Sequence, residues 1–242
     1  MSIEMPFILE KMRAAAPEED RPICVLDTAC GTGMHALALA KAGMRVSGAD
    51  LSSQMIHTAK ENARAAHSSV EFKTAGFGAL EGAFSGSSSF PFDAVICLGN
   101  SFPHLLSQEA LLDALDDMAK CLRPGGTLLL QNRNFDAAMA EKKRWLGTQS
   151  HIDGSREWLF LRFYDFDPNG LITFNIIRLY RGGSGTWKQQ QSAVRLFPLK
   201  QELLINLLEE AGFHQITCFG EMAKSTFDPK NSGNLVVTAE KK

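Results

Sequence analysis

The sequence is short of several things, and each shortage excludes something. No run approaches the roughly 20 consecutive apolar residues that a membrane-spanning helix needs, so no membrane partner is expected. The start, MSIEMPFILEKMRAAAPEED, lacks a basic segment followed by a long apolar core, which argues against a secretory signal. Neither sign of charge dominates: 25 Lys and Arg stand against 27 Asp and Glu, a formal net charge of -2. That balance gives no electrostatic reason to expect nucleic acid as a partner. Cysteines number five (Cys24, Cys30, Cys97, Cys121, Cys218), an odd count without C-x-x-C spacing. Most lie in apolar stretches, so they read as reduced, buried thiols of a cytoplasmic protein and not as a disulfide set or a zinc site. No metal is expected. Tyrosine occurs only at Tyr164 and Tyr180. What is present over 242 residues, 45% hydrophobic and 21% charged, is ordinary for a globular chain able to bury a large core.

The first two-thirds alternate strand-like and helix-like segments. ICVLD (23–27), MRVSGAD (44–50), VEFKT (70–74), FDAVICL (92–98) and GTLLLQN (126–132) read as five strands. Between them, 34–41, 54–66 and 108–122 read as helices, the second entered through Ser52 and Ser53 and the third closed by Pro124 and Gly125. Strands spaced by helices at this interval predict right-handed crossovers and a doubly wound, mostly parallel sheet. The segment 75–91, rich in glycine and serine, reads as a long surface loop. Beyond it, REWLFLRFYDF and LITFNIIRLY flank Asp-Pro-Asn-Gly, a hairpin signal that predicts two or three antiparallel strands inserted after the fifth strand. The chain returns to a helix in KQELLINLLEEAGF, then to HQITCFGE and NLVVTAEKK, two strands with no helix between them and therefore an antiparallel pair. The expected organisation is one α/β domain over 1–242, with 151–199 as an inserted, substrate-side subdomain.

Gly31, Gly33 and Ala36 fall in the spacing G-x-G-x-x-A, shared by binders of nicotinamide dinucleotides and of S-adenosylmethionine. Charge separates the two. In a dinucleotide site the first glycine follows the strand almost at once, so that the pyrophosphate sits on the helix N-terminus. Here Thr28, Ala29 and Cys30 intervene, and Asp27 at the strand tip would repel a pyrophosphate but could organise an ammonium group. S-adenosylmethionine offers an amino-acid head, a sulfonium and no phosphate. Gly31 and Gly33 would let the backbone approach it closely, and Asp50 ends the second strand where a carboxylate can accept from both ribose hydroxyls. The spacing alone is weak; strand–Asp–x3–Gly–x–Gly–helix–strand–Asp is specific.

LDTACGTGMHALALAKAG with GADLS resembles the cofactor signature of class I S-adenosylmethionine-dependent methyltransferases. FDAVICLGNSFPHLL, CLRPGGTLLLQNRNFD and LLEEAGF follow in that family's order, so the resemblance covers 23–136 and 196–242. More narrowly, CLGNSFPHL and NRNFD are similar to the glycine and glycine/sarcosine N-methyltransferase branch, which also inserts antiparallel strands after the fifth strand. The resemblance implies a Rossmann-like seven-stranded sheet, S-adenosylmethionine as cofactor and a small-molecule acceptor, an amine of an amino acid or similar metabolite. It implies cofactor contacts at Asp27, Ala29, Gly31, Gly33, Asp50, Leu51, Met55, Gly76, Phe77 and Leu98. Two departures stand out: Phe77 falls where the family often carries an adenine-side carboxylate, and no tyrosine lies near the N-terminus.

Asn100 and His104 follow the fourth strand, at the carboxyl end where open α/β sheets bind ligands. Asn100 reads either as a turn residue or as a polar group facing the transferred methyl, and His104 as a proton acceptor or a cap. Arg133 follows the fifth strand. By position it is a surface arginine pairing with Asp136; by resemblance it holds a substrate carboxylate, which a guanidinium fork suits. The tryptophans (Trp145, Trp158, Trp187) read as packing or as walls of the substrate pocket. An acceptor oxygen or carbon, a nicotinamide-dependent dehydrogenase and a non-catalytic cofactor-binding subunit are the alternatives, and the oligomeric state stays open.

Overall fold

A computed structural model describes residues 4–15, 21–183, 185–222 and 225–242. Strands β1 (Cys24–Thr28), β2 (Arg45–Asp50), β3 (Glu71–Thr74), β4 (Phe92–Cys97) and β5 (Leu122–Arg133) run parallel, and β10 (Phe213–Phe219) and β11 (Asn234–Lys241) close the sheet antiparallel. The order is β10-β11-β5-β4-β1-β2-β3. The central strands are buried along their whole length, as strands covered on both faces must be. Alternate residues feed two cores. Leu26, Val95, Leu128, Leu130 and Val237 pack with α5 (Gln108–Cys121) and α7 (Gln201–Glu210) on one face. Val25, Val46, Ile96, Leu129 and Val236 pack on the other with α1 (Met5–Ala14), α2 (Met34–Lys41) and α3 (Ser53–Ala65).

Ser52 caps α3 through the Met55 N–H, and Ser107 caps α5 through the Ala110 N–H. The loop expected over 75–91 is corrected: it contains a short helix, α4 (Leu80–Phe84). No side chain of its own caps it. The buried carboxylate of Asp117, from α5, accepts from Leu80 N–H (2.8 Å) and Glu81 N–H (3.0 Å), while Leu80 and Phe84 fill the core. The insertion holds four strands, one more than the upper expectation. β6 (Gln149–Asp153), β7 (Arg156–Phe166), β8 (Ile172–Gly182) and β9 (Lys188–Leu196) form a separate antiparallel sheet. A further helix, α6 (Phe135–Glu141), follows β5 and is capped by Asn134. Among the described residues no helix is long and apolar enough to cross a membrane.

Candidate active site

The turn after β1 is held by backbone geometry that few residues accept. Ala29, Gly31 and Gly33 have φ of 53°, 55° and 78°, all left-handed. The two glycines serve different needs. A Cβ on Gly33 would lie 2.6 Å from the Phe72 ring, so its missing side chain lets α2 settle onto β3. A Cβ on Gly31 would meet nothing within 4 Å; this is the glycine that opens outward. Gly33 thus has a packing reason of its own, and Gly31 has open space beside its Cα. Asp50 ties the turn together, Oδ2 accepting from Gly31 N–H and Oδ1 from Ser52 N–H, each at 2.8 Å. A carboxylate has further lone pairs, so hydroxyl donors can still be accepted.

Asp27 stands apart. It is buried, and its Oδ2 has no hydrogen-bond partner. Burial pushes its pKa up to about 7, opposed by the Ala36 N–H and reinforced by the Asp50 charge. A buried, half-satisfied carboxylate beside a second carboxylate fits an ammonium group and not a pyrophosphate. Leu51, 79% exposed, and Met55 offer an apolar shelf at the tips of β2 and α3, and Leu51 Cδ1 lies 3.0 Å from the Cβ position of Gly76. The donor set thus fits S-adenosylmethionine: a carboxylate for its ammonium, a carboxylate for its ribose, an apolar shelf for its base. Two of the residues expected at the cofactor pack their side chains into the core. Leu98 is buried in the α1–α3 core, so its side chain does not face the cleft. Phe77 packs edge-on against Phe102 (centroids 5.7 Å apart) as part of the opposite core. Thus Phe77 supplies apolar packing where a carboxylate was missing.

At the neighbouring strand ends lies a second cavity, of about 1020 Å³. Asn100, His104 and Arg133 all line it, with Asn134 and Ala138 of the α6 segment and Arg162, Tyr164, Phe174, Ile176 and Val194 of the inserted sheet. Gly99 and Asn100 are consecutive left-handed residues (φ 78° and 66°) that reverse the chain after β4. Asn100 Oδ1 accepts from the Arg133 N–H at 2.9 Å, and Asn100 N–H donates to Gln131 O at 3.2 Å. Asn100 is therefore both the turn residue and the group that fixes Arg133. The ion pair with Asp136 does not form: Asp136 instead accepts from Gln201 N–H at the start of α7 (2.9 Å). Among the described residues the Arg133 guanidinium has no carboxylate or hydrogen-bond partner.

His104 ends a single 3-10 turn (Phe102–His104) anchored by buried Phe102 and Pro103. Desolvation lowers its pKa below the ordinary histidine value, which favours the neutral ring. Tyr164 is 6% exposed; burial raises its pKa and the Arg133 charge acts against that rise. Tyr164, Arg162 and the α6 residues are the cavity walls that sequence reasoning missed. Alternation along β7 puts Arg162 and Tyr164 on one face, but nothing in the pattern says that this face meets the cavity. None of the three tryptophans lines it; Trp145 is over half exposed and stacks on Phe163.

Sheet order, terminal antiparallel pair, turn and carboxylates together define a class: a Rossmann-like, S-adenosylmethionine-dependent methyltransferase. Comparison agrees. Residues 25–126 match a family model described as a methyltransferase domain. A glycine/sarcosine N-methyltransferase of Parasynechococcus marenigrum is 31% identical over 227 residues, 90% of this chain and 71% of the relative. An S-adenosylmethionine-dependent methyltransferase of Clostridium acetobutylicum superposes with a TM-score of 0.78 at 15% identity, covering 99% of this chain and 91% of that one. An amino pentose methyltransferase of Micromonospora echinaspora, solved with S-adenosylmethionine bound, gives 0.75 at 19% identity, covering 100% and 92%. The chain belongs to the class I S-adenosylmethionine-dependent methyltransferases, in the branch that holds the glycine and glycine/sarcosine N-methyltransferases. It is an enzyme of that class and uses that cofactor, which sets aside the dehydrogenase and non-catalytic alternatives.

Proposed function

We propose that the enzyme methylates the amine nitrogen of an amino acid or similar amino-carboxylate, and that Arg133 holds the acceptor's carboxylate. The observation that carries this is the Arg133 guanidinium, without a carboxylate or hydrogen-bond partner among the described residues, at a cavity that Asn100, which accepts from the Arg133 backbone N–H, and His104 also line. The names of the relatives, glycine/sarcosine and glycine N-methyltransferase, support the same acceptor chemistry. S-adenosylmethionine, held by Asp27, Ala29, Gly31, Asp50, Leu51, Met55 and the backbone near Gly76, supplies the electrophilic methyl and its own leaving group. What the protein adds is proximity, alignment and exclusion of water. The two parallel donors of Arg133 orient the carboxylate, and Asn100 keeps Arg133 in register with the cofactor turn. An attacking amine must be neutral, and His104, whose pKa desolvation lowers, lines the same cavity and would take its proton. The inserted sheet covers the acceptor side, which makes the chain one functional domain with 151–199 as its substrate wall. Near-neutral charge and five free cysteines among the described residues support a cytoplasmic enzyme acting on a metabolite and not on nucleic acid.

Arg133→Ala and Arg133→Lys should each raise the acceptor KM, Ala by roughly 2–4 kcal/mol of binding, with cofactor affinity by calorimetry kept. Lysine fails because it cannot reproduce the fork. A preferred acceptor without any carboxylate would sink the assignment.

A further inference from the structure

The cavity is larger and more one-sided in charge than the smallest amino acids require. At about 1020 Å³ it reaches the size of pockets that take drug-sized ligands, roughly 300–1,000 Å³. Among the described residues its lining contains Arg133 and Arg162 and not one aspartate or glutamate. Elsewhere on and beside the inserted sheet, three arginines have carboxylate partners: Arg144 pairs with Asp165 (2.8 Å), Arg181 with Glu157 (2.7 Å) and Arg195 with Asp167 (3.7 Å), while Arg156 is exposed and outside the cavity. Arg178, whose partner is Gln190, lies on open surface outside the cavity. Arg162 is different. It is half-buried, its ring-facing side rests on Phe160 (5.4 Å to the centroid), and its hydrogen-bond partner is the neutral Gln149 Oε1 at 2.5 Å. The contact is open to water and carries no counter-charge, so the guanidinium's remaining donors are free for an anion that enters the cavity. Gln149 and Phe160 hold the guanidinium in place without neutralising it.

The placement of Arg162 gives the spacing. Tyr164 lies close enough to Arg133 for that charge to act on its hydroxyl. Arg162 sits two residues back on β7, on the same face, one pleat repeat or roughly 7 Å farther along the wall. Across the strand pair, Ile176 and Phe174 stand opposite Arg162 and Tyr164. Both line the cavity, giving an apolar surface between the two positive points.

We propose that the methyl acceptor carries a second anionic group set apart from its α-carboxylate, and that Arg162 receives it. Arg133 then grips the carboxylate beside the amine, and Arg162 selects acceptors with a carboxylate or phosphate farther along the chain. This deepens the amino-carboxylate reading and rests on it.

The test uses the full enzyme saturated with S-adenosylmethionine. Steady-state kinetics compares glycine, sarcosine and alanine with aspartate, glutamate, iminodiacetate and O-phosphoserine. At least one dianionic acceptor should exceed glycine in kcat/KM by tenfold or more, and the dicarboxylate and phosphate arms show which anion Arg162 takes. Arg162→Gln should lower the ratio of dianion to glycine kcat/KM by tenfold or more, mainly through KM, and Arg162→Lys should restore part of it. Glycine or sarcosine outranking every dianion would overturn this inference alone, as would an Arg162→Gln effect equal for all acceptors. If no amino-carboxylate is methylated by enzyme shown calorimetrically to bind the cofactor, the amino-carboxylate reading itself fails, and this inference with it.

Discussion

The two ends of the central sheet treat a buried aspartate in opposite ways. At the amino ends, Asp93 of β4 is fully buried and fully served. Arg21 reaches both of its oxygens (2.8 and 2.9 Å), Arg123 Nε donates at 2.7 Å and the Cys24 N–H at 2.7 Å. Burial acts to raise its pKa, but those donors outweigh it and hold the carboxyl below its ordinary value. At the carboxyl end of the adjacent strand β1, Asp27 is as deeply buried yet keeps an oxygen without a partner, and its pKa rises to about 7. The same residue type on neighbouring strands thus marks one end that the protein completes by itself and one where, among the described residues, it leaves an oxygen unpaired. Buried polar groups are paired almost everywhere in proteins; among the described residues His35 and Asn132 also keep buried atoms unpaired, and Asp27 is the one carboxylate with such an atom.

Removing Asp93 should do the most damage. Asp93→Ala leaves two arginines without their shared acceptor, and breaking such a buried pair costs roughly 3–5 kcal/mol. Because both arginines stay partly in water, the lower end is expected. Denaturant unfolding measures it, and added S-adenosylmethionine should not remove the deficit. An unaffected midpoint would break the comparison.

Asp27→Asn should act in the other direction. The folded-state pKa near 7 lies above the ordinary 3.8. Between those values the folded chain retains a proton that the unfolded chain has lost, so this group's contribution to cofactor-free stability falls as pH rises toward 7 and is flat above. Without cofactor, Asp27→Asn should therefore melt no lower than the parent at pH 6 and higher at pH 8. Cofactor binding draws on the charged carboxylate. Parent affinity should rise by up to about tenfold per pH unit toward pH 7, until the ligand's own amine, with an ordinary pKa of roughly 7.7–8.0, begins to lose its proton. Losing that charge-assisted contact costs roughly 1.5–3 kcal/mol of binding. Calorimetry at pH 6, 7 and 8 checks both signs, and a pH-independent affinity removes Asp27 from the ammonium site.

The smallest effect sharpens the contrast. Asp117 is also buried and also served by the protein, but by two neutral N–H groups at the start of α4. Asp117→Ala should cost roughly 0.5–2 kcal/mol, the worth of a helix cap, with hydrogen exchange rising in residues 80–84 and cofactor affinity unchanged.

Much of this was legible in the chain. The alternation of strands and helices, the helix over 34–41, the cap at Ser52 and the antiparallel final pair follow from local pattern, and the elements match closely except that β5 starts at Leu122, four residues before the expected 126. The cofactor turn was legible because its glycines and carboxylates lie within one strand–helix–strand unit. The cavity at the ends of β4 and β5 was only half legible. Asn100, His104 and Arg133 sit at strand ends, where position in sequence implies position on the rim. Arg162 and Tyr164 belong to a sheet whose alternation shows two faces without naming the inward one.

What the sequence by itself determined is whatever depends on neighbours a few residues away: strand and helix periods, caps, the left-handed turn at Gly31 and Gly33, and the charge that disfavours a pyrophosphate. What only the tertiary structure decided is whatever depends on partners far along the chain. Asp117 makes a helix from a stretch that reads as loop, Phe72 explains Gly33, and Asp136 caps α7 and thereby leaves Arg133 unpaired. The physical reason is that burial and pairing are set by what packs across the fold. A carboxylate's neighbours in sequence cannot tell whether it will find donors for both oxygens, as Asp93 does, or keep one oxygen without a partner among the described residues, as Asp27 does.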